Sequence, residues 1–325
     1  MKYCQTSLFF MMVTAFGANA EGMNLQVSQP YTNTQLSSGS GAVVNDGDIY
    51  VVGDDMQWLF VVNKGYQIID NYSLSDSKMA PKGRIEKNNK PDYESMTKLN
   101  YQGKLYYLAF GSGSKKVKRE HGVLMSADDH SKQIFSLSPL YKSLYAASGM
   151  SGKQKINIEG LATSDDMAYI FNRGNEGKNI VFSLKLDQMM DFITGKNQSL
   201  SSLKAVDIAL PSIGGFEATL SGADYWPEGQ SLVYSASVEG TDTAVGDGEV
   251  LGSFIGVLPI EKLAMNTTKL DLTHTAKRVT SQQRPLITKI ESVAIDKSNQ
   301  DGVQGFLVSD NDDGTSQFFS FSLTK

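Results

Sequence analysis

The sequence predicts an all-β chain folded as a single β-propeller of five blades, and three observations predict it. First, a short motif recurs: Ser40-Gly41-Ala42, Glu94-Ser95-Met96, Glu159-Gly160-Leu161, Ser221-Gly222-Ala223 and Glu291-Ser292-Val293, at separations of 54, 65, 62 and 70 residues. Second, each copy is followed by the same succession of short apolar strands and turns. Third, helix-period patterns are scarce, and only the stretch from Leu184 to Ile193 reads as a short helix. A lone twisted sheet cannot bury its faces, so units repeated at this spacing pack against copies of themselves around a ring.

The motif opens the innermost strand of each blade. The second strands are β-branched and aromatic runs bounded by Gly, Asn and Asp: Ile49 to Val52, Leu105 to Ala109, Ala168 to Phe171, Leu232 to Ser235 and Phe306 to Val308. Third strands are expected at Trp58 to Val62, Gly122 to Met125, Ile180 to Leu184, Phe254 to Leu258 and Phe318 to Leu323. More polar outer strands are expected at Tyr66 to Ile69, Gln133 to Leu137, Ala205 to Ala209 and Arg278 to Thr280. The fifth unit runs out of chain after its third strand, while Asn24 to Val27 precede the first unit without a blade. This N-terminal strand is therefore expected to complete blade 5 and close the ring. Six blades are the alternative if segments 75–90 or 261–287 hide another sheet. Trp58 and Trp226 are expected to fill space between blades.

Residues 1–20 read as a signal peptide. Lys2 gives a positive start, Ser7 to Phe16 are mostly apolar, and Ala18-Asn19-Ala20 offers a small-x-small cleavage site after Ala20. Residues 21–325 then form the propeller, exported to a periplasmic or extracellular location. The apolar run is too short for a permanent bilayer anchor, so no stable membrane attachment is expected after cleavage. Cys4, the only cysteine, lies inside the leader, leaving the mature chain no disulfide. The net charge of −5 argues against nucleic acid as a partner, because a basic face is needed to displace counterions from phosphates.

In a propeller the inner strand starts at the rim where the second strand ends, so two sets of residues converge there. One set is the ring Ser40, Glu94, Glu159, Ser221 and Glu291. The other comprises the loops after the second strands: Gly53-Asp54-Asp55, Gly111 to Ser114 running on to Arg119-Glu120-His121, Arg173 to Glu176, Glu239 to Ser253, and Asp310 to Gly314. Three glutamates at one mouth repel one another unless a proton, a cation or a basic side chain offsets them. Arg119 and Arg173 are the candidate arginine partners. Ca²⁺ is the alternative, held by Glu94, Glu159, Glu291, Asp310 and Asp312 through oxygen-only coordination. A small ligand would meet Ser40, Glu94, Arg119, Glu159, Arg173, Asn175, Ser221, Glu239, Asp247 and Glu291. The Glu239 to Ser253 loop, with Asp242, Asp247 and Glu249, is the candidate lid. His121, His130 and His274 have no metal-ligand spacing. No Gly-x-Ser-x-Gly elbow and no phosphate loop occur, which removes support for serine hydrolysis and nucleotide binding.

Taken together, Gly111 to Ser114 with Arg119, Asn157 to Leu161, Arg173 to Asn175, Glu239 to Ser253 and Asp310 to Asp313 resemble a family of uncharacterised bacterial β-propeller proteins. More distantly the chain is similar to phytase-like and esterase-like propellers, and that resemblance implies calcium at acidic channel residues and the handling of a phosphate or ester. Ser40 and Ser221 depart from a fully acidic ring. Three readings of function follow: binding of a small ligand or divalent cation at the acidic mouth, metal-assisted hydrolysis of phosphate or carboxylic esters, and a scaffold for a protein partner. No catalytic residue is assigned.

Overall fold

The computed structural model describes residues 22–74, 84–240 and 248–325. The expected leader with Cys4, and the loop acids Asp242 and Asp247, lie outside them. Five sheets radiate from one axis. Blade 1 is built from Gly39–Asn45, Asp48–Gly53, Trp58–Val62 and Ile68–Ser73; blade 2 from Tyr93–Tyr101, Lys104–Gly111, His121–Ser126 and Lys132–Ser136. Blade 3 has Ile158–Thr163, Met167–Asn172, Ile180–Lys185 and Lys204–Ala209, and Lys269–Asp271 adds to it in parallel. Blade 4 has Thr219–Trp226, Ser231–Glu239, Val250–Pro259 and the short Lys277–Arg278. Blade 5 runs Ile290–Asn299, Gly302–Asp310 and Ser316–Thr324, and its outer strand is the N-terminal Asn24–Val27.

That last pairing closes the ring antiparallel, with Leu25 opposite Leu323 and Val27 opposite Phe321. It removes an open edge and ties the two ends of the chain together. Segment 261–287 supplies edge strands to blades 3 and 4 and a two-residue hairpin at Thr280–Ser281 and Arg284–Pro285. The described residues hold no sixth blade.

Five apolar clusters fill the five gaps between neighbouring blades, so each blade buries both faces. Period-two alternation puts Leu108 and Phe110 in the gap towards blade 3, and Tyr107 and Ala109 in the gap towards blade 1. Trp226 is fully buried between blades 4 and 5, its indole N–H donating to the Asn299 carbonyl at 2.8 Å. Trp58 instead is half-buried at the entry of its strand, in none of the five clusters. Among the described residues three α-helices cap the blades. Helix α1, Ser138–Ala147, was not expected; it opens with Pro139 in its first turn and buries Leu140, Tyr141 and Leu144 on the blade 2–3 cluster. Helix α2, Leu186–Ile193, forms where the apolar period predicts it, with Leu184 still in the strand. Helix α3 is the short Ile260–Ala264. Among the described residues no helix is long and apolar enough to cross a membrane.

Candidate functional site

Each of the five repeats begins with a β-bulge, and the ring residue lies in it. Pairing with the second strand skips Ser40, Glu94, Glu159 and Glu291, and in blade 4 it slips across Ser221-Gly222. A bulge leaves its extra residue outside the ladder and re-aims its side chain, which is how Glu94 and Glu159 reach the mouth of the channel while Ser40, Ser221 and Glu291 stay buried beside it. The residue after the bulge sets how closely the blades approach. A Cβ on Gly160 would lie 2.4 Å from the Ser221 carbonyl oxygen, and one on Gly222 would lie 2.5 Å from the Ser292 Cα. Only glycine permits these backbone contacts.

The five ring residues split into two kinds. The serines turn to protein: Ser221 Oγ donates to the Ile290 carbonyl at 2.7 Å, and Ser40 Oγ to the Ser38 carbonyl at 3.4 Å. The glutamates meet ionic partners or the cavity. Glu159 is buried, accepts from Asn157 Nδ2 at 2.7 Å, and lies 3.7 Å from Arg173. Glu291 is buried and pairs with Lys289 at 2.9 Å, its second oxygen having no hydrogen bond among the described residues. Glu94 is half-buried, and among the described residues no hydrogen bond or salt bridge reaches it.

Arg173 donates at 2.5 Å to Glu239 and at 3.1 Å to Thr219, and Lys289 also approaches Glu239 at 3.5 Å. Because Arg173 is closer to Glu239, it only partly compensates Glu159. Burial then lifts the Glu159 carboxyl to about 7, with Arg173 opposing and Glu291 reinforcing the rise. Burial likewise raises Glu94 well above the usual carboxylate range, helped by repulsion from Glu159, Asp92 and Asp54 and opposed by Lys90. Asp310 is lifted to about 8 by burial and by its neighbours Asp312, Asp54 and Glu291, against a backbone N–H from Asp312.

The mouth is an open cavity of about 860 Å³ lined by residues of blades 1, 2, 3 and 5. Glu94, Arg119, Glu159, Arg173, Asn175 and Asp312 line it as the sequence predicts. Glu239 and Glu291 stand behind Arg173 and Lys289, Asp310 lies within electrostatic reach, and Ser40 and Ser221 are buried in the seams. Oxygens of Asp54, Asp92 and Glu94 lie within 4.8 Å of one another. The Lys90 ammonium contacts Asp54 and sits 2.9 Å from Asp92, while Arg119 reaches Asp92 at 2.8 Å. Calcium would find oxygen donors there, but Lys90 already lies among them.

Asp92, Lys90 and Lys289 were not among the expected site residues. A signal for two of them is present in the sequence. The residue two places before each ring position is polar in all five blades: Ser38, Asp92, Asn157, Thr219 and Lys289. They stand at the start of the inner strand or immediately before it, Asp92 in a left-handed conformation at φ 58°. Ser38 holds Asp55 at 2.7 Å, Asn157 holds Glu159, and Thr219 receives Arg173.

Fold and site together define a five-bladed propeller whose channel mouth gathers buried, interleaved carboxylates and cations. The chain belongs to DUF6929, a family of unknown function, whose profile matches residues 35–323. No curated protein matches it by sequence. Among solved structures it is similar to the glutaminyl cyclase of Myxococcus xanthus, at 11% identity and a TM-score of 0.48 over 92% of this chain and 96% of that one. A protein of unknown function from Dyadobacter fermentans is similar at 8% identity and 0.42, over 93% and 99%. Virginiamycin B lyase from Staphylococcus aureus is similar at 11% identity and 0.36, over 93% and 100%.

Proposed function

We propose that this protein binds a small, strongly hydrophilic, charged ligand in the cavity at its channel mouth, with Glu94 as the deepest contact. The observation that carries this reading is Glu94 itself. Glu159 and Glu291, the other ring glutamates, are ion-paired with Arg173 and Lys289; Glu94 has Lys90 nearby on Asp54 and Asp92, but among the described residues its own carboxyl makes no ion pair or hydrogen bond and faces the cavity. A carboxyl with a raised pKa in a cleft is a recognised mark of a functional position.

The lining narrows the ligand's chemistry. Its twenty described residues comprise eight acids, eight bases and four others, and among them Ile85 is the only apolar one. An aromatic or aliphatic ligand would gain neither stacking nor burial there, so recognition rests on charge and hydrogen bonds. A second reading is a divalent cation at Asp54, Asp92 and Glu94, favoured by the gathering of their oxygens within 4.8 Å. With Lys90 swung aside, that ion would polarise a bound phosphate or carboxylic ester, as in a metal-assisted hydrolase.

Thermal melting of the wild type and of Glu94→Gln tests both readings. The probes are inorganic phosphate, citrate, glutamate, spermidine and CaCl2, each alone, with EDTA as a control. A ligand bound only by the folded state raises Tm by mass action. At least one organic or phosphate probe should raise the wild-type Tm, and Glu94→Gln should diminish that rise. A rise with CaCl2 alone, reversed by EDTA, would select the cation reading. No shift with any probe would overturn the proposal.

A further inference from the structure

We infer that the ligand of this mouth is a compact zwitterion, whose ammonium group meets Glu94 at the floor and whose carboxylate or phosphate group meets a basic lip formed by Lys87, Lys115 and Arg119. The inference rests on the binding reading above and adds to it the class of molecule bound.

The lip is built from two segments of chain. Lys118 Nζ donates to the Asn88 carbonyl at 2.7 Å and to Asn89 Oδ1 at 3.1 Å, and Lys115 reaches Asn88 Oδ1 at 3.4 Å, so loop 113–119 is fastened to segment 84–90. Between Lys115 and Arg119, Val117 is exposed and held at φ 66°, a conformation that β-branched residues avoid. Its N–H donates to the Glu120 carboxylate at 3.0 Å, which helps hold the turn. Strain of this kind persists where the surroundings fix it and is concentrated at ligand-holding segments. Arg119 spends Nη1 on Asp92 and Ser114, both at 2.8 Å, while its buried Nε–H has no acceptor among the described residues. Its Nη2 likewise meets no acceptor among them and suits a carboxylate or phosphate.

The floor shows its own preference. An ammonium, that of Lys90, already rests on Asp54 and Asp92 beside Glu94, so this acidic group accommodates an amine donor. A molecule bearing only positive charge would meet Lys90 and Arg119 unrelieved, and one bearing only negative charge would meet Glu94 and Glu159. A molecule with both charges meets its opposite at each end.

Isothermal titration of the full chain with matched probes tests the inference. The zwitterions are β-alanine, 4-aminobutyrate and O-phosphoethanolamine, which differ in spacing; the halves are ethylamine, acetate and inorganic phosphate. One zwitterion should bind about tenfold tighter than either of its halves, a difference well resolved in Kd. Glu94→Gln should weaken the zwitterion and ethylamine but not phosphate; Arg119→Gln should weaken the zwitterion and phosphate but not ethylamine. Lys115→Gln, at an exposed lip position, repeats the anion arm if Arg119→Gln disturbs folding. A half that binds as tightly as every zwitterion overturns the class while leaving the mouth as a binding site. Zwitterions that fail while another charged probe gives a Glu94-dependent shift in Tm have the same meaning. Failure of every probe in both experiments overturns both statements.

Discussion

Blades 2, 3 and 5 carry glutamate at the ring position, blades 1 and 4 carry serine, and the same bulge serves two purposes in the two sectors. At Ser221 the side chain bonds to the Ile290 carbonyl of the next blade, and Gly222 lets the inner strands touch. That sector is a seam, held by short hydrogen bonds among Ser221, Ser235, Ser237 and Ser253. At Glu94 and Glu159 the side chains stay at the cavity among Lys90, Arg119 and Arg173. A repeat therefore fixes where a side chain points, while the residue placed there decides whether the position closes the toroid or opens it to solutes. The serine positions are buried and bonded to backbone carbonyls; the glutamate positions are charged and, among the described residues, incompletely paired.

The largest effect should come from breaking the charge balance of the glutamate sector. Arg173→Met leaves the buried Glu159 and the partly buried Glu239 without the guanidinium between them, and removing one partner of a buried pair costs about 3–5 kcal/mol. Urea denaturation at pH 7 should show that loss. It should shrink in the double variant Arg173→Met/Glu239→Gln, because one stranded charge is then gone. A loss below about 1 kcal/mol, the value typical of an exposed pair, would show that water compensates these groups and that the two sectors do not differ as described.

The seam was more legible in the sequence than the site. The Ser/Glu-Gly/Ser motif and the strands after it were readable because every blade must make the same bulge and the same inner contact. The N-terminal closing strand was readable for a related reason: blade 5 lacked a fourth strand and Asn24 to Val27 lacked a blade. Helix α1 escaped because its apolar positions Leu137, Leu140, Tyr141 and Leu144 occupy two turns only, between strands that dominate the local pattern. At the site, Glu94, Glu159, Arg119 and Arg173 followed from topology alone. The pairing of Arg173 with a ring glutamate followed as well, but Arg119 meets Asp92 instead, and Lys90 comes from the segment before blade 2, where no periodic pattern marks it.

A smaller effect should appear in the serine sector. Gly222→Ala would put a methyl group 2.5 Å from the Ser292 Cα and 2.8 Å from the Glu291 carbonyl oxygen, both backbone. Overpacking against atoms that cannot rotate away costs typically about 1–3 kcal/mol. The loss should be the same at pH 5 and pH 8, since the substitution neither adds nor removes an ionisable group. A strongly pH-dependent loss would mean that blades 4 and 5 transmit the change to Glu291, and the two sectors would have to be treated as one.

The smallest effect, and the sharpest in sign, concerns Glu94. Its carboxyl is raised in the folded protein above the ordinary value of 4.5, chiefly by burial and then by Glu159, Asp92 and Asp54. Below pH 4 both the folded and unfolded chains hold the proton, and Glu94 costs nothing. As pH rises past the ordinary value, the unfolded chain releases the proton first, so stability is lost until the folded-state carboxyl also ionises. Glutamine does not ionise, and Glu94→Gln escapes this loss. Glu159 and Asp310, lifted to about 7 and about 8, impose a decline of the same sign on wild type and variant alike, so it largely cancels in the comparison. Urea melts should therefore show no difference at pH 4 and a more stable variant at pH 8. The corresponding change in the seam, Ser221→Ala, should destabilise by about 1 kcal/mol at both values, because it removes only a hydrogen bond. A Glu94→Gln variant less stable than wild type at pH 8 would mean that the carboxylate is fully compensated in the folded chain, and the contrast between the two sectors would fail at its most exposed point.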